Sequence, residues 1–311
     1  MEQRPTLTLQ TKLIGHKGSI YCLDHSSDGA YLYSVGGDGW IVQWLTADHK
    51  DGKLLAEVED QVFAVRKVPG KDCIIAGAFS GNLYYIDPSA QEKTRNLVFH
   101  KRGIYDLLIR EDQLFTAGGD GRIGIWDLDT MEISESIRIS DERLRGLALS
   151  PDAQILAVAA SDNDIYLLHL NSGKIIDVIE AAHENSVFDV AFSHCGQFLY
   201  SGGRDAHLKK WNLRDRTSLE SDVSAHWYTI NVLALHPSGR WLATGSRDKT
   251  IRIWDTNDFT LIQSLDAGKD DGHINSVNHL VWSRDGSLLY AASDDRSISV
   301  WLVADGSLVT D

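Results

Sequence analysis

SVGGDGWIVQW, at residues 34–44, returns as TAGGDGRIGIW at 116–126, SGGRDAHLKKW at 201–211 and TGSRDKTIRIW at 244–254, with a shorter copy, ASDDRSISVW, at 292–301. Two weaker copies, AGAFSGNLYYI at 76–86 and AASDNDIYLLH at 159–169, fill the gaps, so the seven end points lie about 40 to 47 residues apart. A repeat of this length decides the architecture before any local signal does, because one such unit can bury its apolar face only against its neighbours. Upstream of the strong copies stand His16, His100, His183, His226 and His273, each preceding a strand-like run such as SIYCLDHS or SVFDVAFS. Turn chemistry follows each run, as SSDGA, REDQ, SHCGQ, HPSGR and SRDGS. No segment sustains a 3.6-residue apolar period with caps, so helices are expected to be rare.

The period is that of a four-stranded β-propeller blade, and seven units take up nearly all of the 311 residues. The expected fold is therefore all-β: a single domain over residues 1–311, a seven-bladed propeller of four-stranded antiparallel blades. Composition agrees, with 43% hydrophobic residues, enough for a large core, and only 5 prolines and 26 glycines, too few for a low-complexity polymer. A formal charge of -14 opposes nucleic-acid and anionic-membrane binding. No basic stretch with an apolar continuation opens the chain, and no run approaches the roughly 18 apolar residues of a membrane span, so a cytoplasmic protein is expected. Cys22, Cys73 and Cys195 form no C-x-x-C pair and read as small core residues.

With Ser/Thr ten residues and Asp six residues before each Trp, the chain resembles the WD-repeat family of β-propellers over essentially its whole length. The resemblance implies a hydrogen-bonded chain of His, Ser/Thr, Asp and Trp within a blade. Carried over, the sets are His16, Ser34, Asp38 and Trp44; His100, Thr116, Asp120 and Trp126; His183, Ser201, Asp205 and Trp211; and His226, Thr244, Asp248 and Trp254. The last repeat keeps His273, Asp295 and Trp301 but has Ala291 in place of the hydroxyl. An indole N–H only donates, a hydroxyl and an imidazole do both, and a carboxylate accepts, so the chain can be satisfied end to end. The second repeat replaces the four positions by Val58, Ala76, Ser80 and Ile86, a nearly neutral change when both ends of a hydrogen bond go together. The fourth has Ser140, Ala159, Asn163 and His169, whose polar remainder has no account at this level.

Residues 6–13, TLTLQTKL, match the strand that precedes His in later repeats yet have no earlier blade, so they are expected to complete the last blade and close the ring. SLVTD, at 307–311, is a competing candidate for that edge. Trp241 and Trp282 align with apolar strand positions and are expected between blades.

Gly119 to Gly124 satisfy G-x-G-x-x-G, but the run ends in a strand rather than opening a helix, so no nucleotide site is expected. No Walker A, H-E-x-x-H, EF-hand or G-x-S-x-G sequence occurs, and the repeated histidines fall one to a blade. The expectation is no enzyme, no metal and no cofactor.

The resemblance also implies where partners bind: on the loop face around the channel, at positions three and five after His and immediately before Asp. Five after come Tyr21, Phe63, Tyr105, Arg145, Phe188, Asn231 and Asn278; three after comes Arg143 in the fourth repeat. Before Asp stand Phe79, Asp162, Arg204, Arg247 and Asp294 in the repeats that are not glycine there, and Trp40 and Trp227 lie in the same class of loop. Aromatics thus gather on repeats one to three and arginines on four to six, both enriched in binding hot spots. The expectation is a positive mouth on a negative particle, suited to a protein or to an acidic or phosphorylated peptide. The competing reading is a small-molecule sensor or enzyme that uses the channel, and it would fail if the channel were lined by small and apolar residues such as Cys22, Ala64, Gly146 and Val232.

Overall fold

The computed structural model describes residues 4–50, 52–90, 94–215 and 217–304. Seven four-stranded antiparallel sheets follow one another around an axis. They span residues 20–57, 62–98, 104–138, 144–179, 187–224 and 230–265 as blades 1 to 6, with 277–304 forming three strands of blade 7. The first strand of every blade touches the first strands of both neighbours, so these seven strands line the axis. The one helix among the described residues is the short turn Ala267–Asp270, and none is long and apolar enough to cross a membrane.

The fourth strand of blade 7 is the N-terminal Thr6–Ile14, antiparallel to Ser297–Ala304, with Thr6 opposite Ala304 and Ile14 opposite Ser297. SLVTD lies outside the described residues. The closing strand is fixed from two sides. Leu7 is 1% exposed in an apolar cluster with Trp241, Trp282 and Trp301, while the Gln263 carboxamide of blade 6 accepts from Leu7 N at 2.8 Å and donates to Leu7 O at 2.9 Å. Similar clusters fill the other inter-blade seams, each drawing residues from two adjacent sheets. Trp241 and Trp282 both sit in the seam between blades 6 and 7, where the Trp282 indole donates to Ala234 O at 2.9 Å. Cys22 and Cys73 are buried, but Cys195 is exposed in a turn of blade 5, because the turn that carries it faces solvent rather than a seam.

Two backbone features recur in all seven blades. The first axial strand carries a bulge near its start, between residues 20 and 22 in blade 1 and at the matching place in every other blade. A bulge sets two residues against one and breaks the strict in-out alternation of side chains. The residue after the Asp position, held by Ser80 in blade 2 and by Asp162 in blade 4, has a positive φ: Gly39, Gly81 and Gly121, but also Asn163, Ala206, Lys249 and Arg296. Glycine takes that conformation without strain, whereas Lys249 at φ 77° does not.

Removing the side chain that anchors the closure is expected to be costly: Leu7→Ala should lower stability by about 2–5 kcal/mol, read from denaturant unfolding. Gln263→Ala should cost less, roughly 1–3 kcal/mol, for its two lost backbone hydrogen bonds.

Candidate functional site

The loop face is held rigid by the polar chains beneath it. In blade 1 the Trp44 indole donates to Ser34 Oγ at 2.8 Å, Ser34 Oγ meets His16 Nε2 at 2.7 Å, and His16 Nδ1 meets Asp38 Oδ2 at 2.9 Å. Because the carboxylate only accepts, Nδ1 carries the proton and the hydroxyl donates to Nε2, so the donors run in one direction from indole to carboxylate. Blade 3 repeats this through Trp126, Thr116, His100 and Asp120, blade 5 through Trp211, Ser201, His183 and Asp205, and blade 6 through Trp254, Thr244, His226 and Asp248. The aspartates also accept backbone N–H groups of the loops, as Asp38 does from Lys17 and Trp40. Burial alone would raise the Asp38 carboxyl, but its hydrogen bonds from His16 and the two N–H groups bring it down to about 2.

Two blades solve the same problem differently. In blade 7 the hydroxyl missing at Ala291 is supplied by Ser299, two residues before Trp301: the indole donates to Ser299 Oγ at 2.7 Å, and Ser299 Oγ meets His273 Nε2 at 2.8 Å. His273 Nδ1 then meets Asp295 at 2.8 Å. In blade 4 the repeat lies one residue earlier than expected: Leu168, not His169, stands opposite Leu156 as Trp44 stands opposite Leu32, and Asp162, not Asn163, takes the Asp position. Asp162, expected on the rim, instead accepts from the Ser140 hydroxyl and from Tyr166 OH at 2.7 Å, while Asp164 accepts from Ala181 N at 2.7 Å.

On the loop face, the positions five residues after His form a continuous ladder from blade 1 to blade 5. Tyr21 and Phe63 lie 5.0 Å apart, Phe63 stacks on Tyr105 at 5.5 Å and 11°, and the Arg145 guanidinium fits between Tyr105 at 4.7 Å and Phe188 at 4.8 Å. Phe79 meets Phe63 edge-on at 5.8 Å and is 57% exposed. Arg145 is therefore a rung of the ladder, donating from Nε to Ser161 Oγ at 2.9 Å, and not a free rim charge. Its neighbours Arg143 and Arg204 are exposed and lie close enough to depress it, after burial, below the usual arginine range. Arg247, one blade on, is exposed as well, and among the described residues none of these three forms an ion pair. Trp40 packs against His16 under the Lys17 ammonium, 4.4 Å from its ring, whereas Trp227 is 83% exposed.

The channel below the ladder does not meet the condition that would count against the small-molecule reading. Cys22, Gly146 and Val232 do line it, but so do Asp24, Arg66, Asp106, Asp189 and His279, in a cavity of about 670 Å³, and Ala64 is fully buried. The bulge explains this: it turns the residue after each ladder position inward as well, and at that level Asp106, Asp189 and His279 share the ring with the small residues. Their charges in strands otherwise reading as apolar were the available signal.

These carboxylates tie blades together. Asp24 accepts from Lys67 N of blade 2 at 2.7 Å, Asp106 from Leu147 N of blade 4 at 2.9 Å, and Asp189 from Leu233 N of blade 6 at 2.7 Å. Arg66 joins blade 2 to Asp106 of blade 3 at 2.9 Å, and Asn231 and Asn278 donate to Val277 O and Ile20 O, joining blades 6 to 7 and 7 to 1. Burial pushes Asp189 up to about 7, with the Asp106 charge adding to it. Burial and the Arg66 charge pull His279 down to about 4, so it is neutral at physiological pH.

Closed rings of seven four-stranded blades with a polar chain inside the blade define a repeat β-propeller. The profile of the WD domain, G-beta repeat family matches residues 7–44, 173–212, 217–255 and 260–301, and the chain belongs to that family. Each matched segment begins in the outermost strand of one blade and ends in the third strand of the next, which is why the N-terminal strand belongs to blade 7. Among curated proteins, the chain is similar to the F-box/WD-40 repeat-containing protein At5g21040 of Arabidopsis thaliana, 26% identical over 65% of this chain and 39% of that protein. It is also similar to the mouse WD repeat and SOCS box-containing protein 1, 32% identical over 40% of this chain and 30% of that protein. Human Echinoderm microtubule-associated protein-like 3 is 25% identical over 94% of this chain and 28% of its own length. The chain thus spans about two fifths or less of these relatives.

Two outcomes follow. Ser299→Ala should destabilise the protein by roughly 1–3 kcal/mol in equilibrium unfolding, because it orphans a buried indole N–H although the repeat already lacks the usual hydroxyl. Asp189, whose folded pKa lies above its ordinary value, stabilises the fold most in acid and loses that contribution as pH rises through about 7. Unfolding experiments from pH 4 to 8 should show Asp189→Asn lacking that loss, with a difference of slope of at most about 1.4 kcal/mol per pH unit.

Proposed function

We propose that this chain is a non-enzymatic interaction scaffold whose loop face receives a protein, or an acidic or phosphorylated peptide, at the mouth of the channel. The observation that carries the reading is the set of exposed guanidinium groups of Arg143, Arg204 and Arg247, outside any ion pair among the described residues, the first two close to the Arg145 rung of the ladder. Guanidinium groups bind carboxylate and phosphate oxygens in pairs, and those contacts are strongest where an aromatic wall excludes water. Exposed Phe79 and Trp227 add apolar area on the same face, the arrangement found in binding hot spots. A cytoplasmic site of action belongs to the same proposal.

The test leaves Arg145 alone, since it supports the ladder. Arg143, Arg204 and Arg247 replaced together by Ala should leave the melting transition within about 1 kcal/mol of the parent, because exposed charges contribute little to stability. Capture of partners from lysate, followed by mass spectrometry, should show loss of at least one strongly retained protein. Retention of every partner at parental levels by the folded variant would reject this face.

A further inference from the structure

The axis beneath the mouth holds two carboxylates, Asp24 and Asp189, beside a neutral imidazole, His279. Arg66 is engaged by Asp106 at 2.9 Å and by Val65 O at 2.8 Å. Asp24 and Asp189 each accept backbone N–H groups, but among the described residues neither has a basic side chain within ion-pair distance. His279 lines the same cavity, its Nδ1 is buried without a partner, and neither ring nitrogen makes a hydrogen bond among the described residues. A neutral imidazole offers a lone pair. Burial holds the Asp24 and Asp189 carboxyls above their ordinary range, although the Arg66 charge opposes it at Asp24 and backbone N–H groups oppose it at both. An anion is thus unsuited to this level. A metal ion is unsuited too, since no three His, Cys, Asp or Glu side chains converge closely enough among the described residues.

The wall above already accommodates one planar cation: Arg145 lies flat between Tyr105 and Phe188. In blades 6 and 7 the ladder positions are Asn231 and Asn278, which carry no ring, and the cavity runs past both to Pro237 and Arg284. Asp294 accepts from Asn278 at 2.8 Å on that side, opposite in sign to the arginines of blades 4 and 5. At a strand rise of about 3.3 Å per residue, Asp189 and His279 lie roughly 3 Å below the ladder and Asp24 roughly 10 Å below it, within reach of an extended basic side chain.

We propose that the channel binds an organic cation, a primary ammonium or a guanidinium group, which enters beside Asn231 and Asn278 and seats its donors against Asp189 and His279. The group comes either from a free small molecule or from a side chain of a bound peptide. The site stands apart from the rim arginines, so its failure would leave the scaffold reading intact.

Calorimetric titration of the full chain at fixed ionic strength tests it with n-butylammonium chloride, ethylguanidinium chloride, the capped peptide Ac-Gly-Arg-Gly-NH2 and its citrulline counterpart. Binding by the peptide alone assigns the cation to a partner's side chain, and binding by the free cations as well assigns it to small molecules. The neutral citrulline peptide should bind roughly tenfold or more weakly. His279→Leu, which breaks no hydrogen bond, should leave the melting temperature unchanged and weaken binding by roughly tenfold. Affinity should rise roughly tenfold from pH 6 to pH 8 as Asp189 ionises. No binding by any cationic probe, equal binding of the citrulline peptide, or an affinity indifferent to His279→Leu would overturn the proposal.

Discussion

The first strand of every blade is the edge of its sheet, and half of its backbone N–H groups face the axis with no strand to receive them. Unpaired buried amides are costly, so a ring of seven such edges needs acceptors along its axis. Asp24, Asp106 and Asp189 provide them, each reaching from its own blade to an amide of the next, and Arg66, Asn231 and Asn278 add ties between blades 2 and 3, 6 and 7, and 7 and 1. Apolar seams between blades supply most of the burial, but these directed contacts fix how each blade sits against its neighbour.

The same bulge that brings those groups to the axis also separates two levels of chemistry. The residue before the bulge point builds the aromatic ladder at the mouth, and the next builds the charged belt beneath. Function and cohesion therefore draw on adjacent residues of one strand. Tyr105 meets the Arg145 guanidinium while Asp106 holds Leu147, and Phe188 completes the ladder while Asp189 holds Leu233. The polar chains from Trp to Asp fix the loops that carry Arg204 and Arg247, and the Ser140–Asp162 contact fixes the loop that carries Arg143, without using any group of the mouth itself.

What could be read beforehand follows from which rules are periodic. The spacing of His, Ser/Thr, Asp and Trp is a sequence pattern, so the blade count, the closing strand and four complete polar chains were legible. Ser299 was not, because a hydroxyl two residues before Trp301 reaches the same place as one ten residues before it only through the pairing of neighbouring strands. The belt escaped for a related reason: strict alternation puts residues 106 and 189 in a seam, and only the bulge turns them to the axis. Arg145 looked like its neighbours Arg143 and Arg204 because sequence records charge but not the two rings that enclose it.

The central claim is that carboxylates on the axis hold blade 1 to 2, blade 3 to 4 and blade 5 to 6. Native-state hydrogen exchange at the amides of Lys67, Leu147 and Leu233 tests it most directly, since those N–H groups point out of their own sheets toward Asp24, Asp106 and Asp189. The account predicts protection as strong as that of the central strands, lost only when the whole ring opens. Exchange of these three amides at the rate of exposed loops, with the sheets still protected, would contradict it.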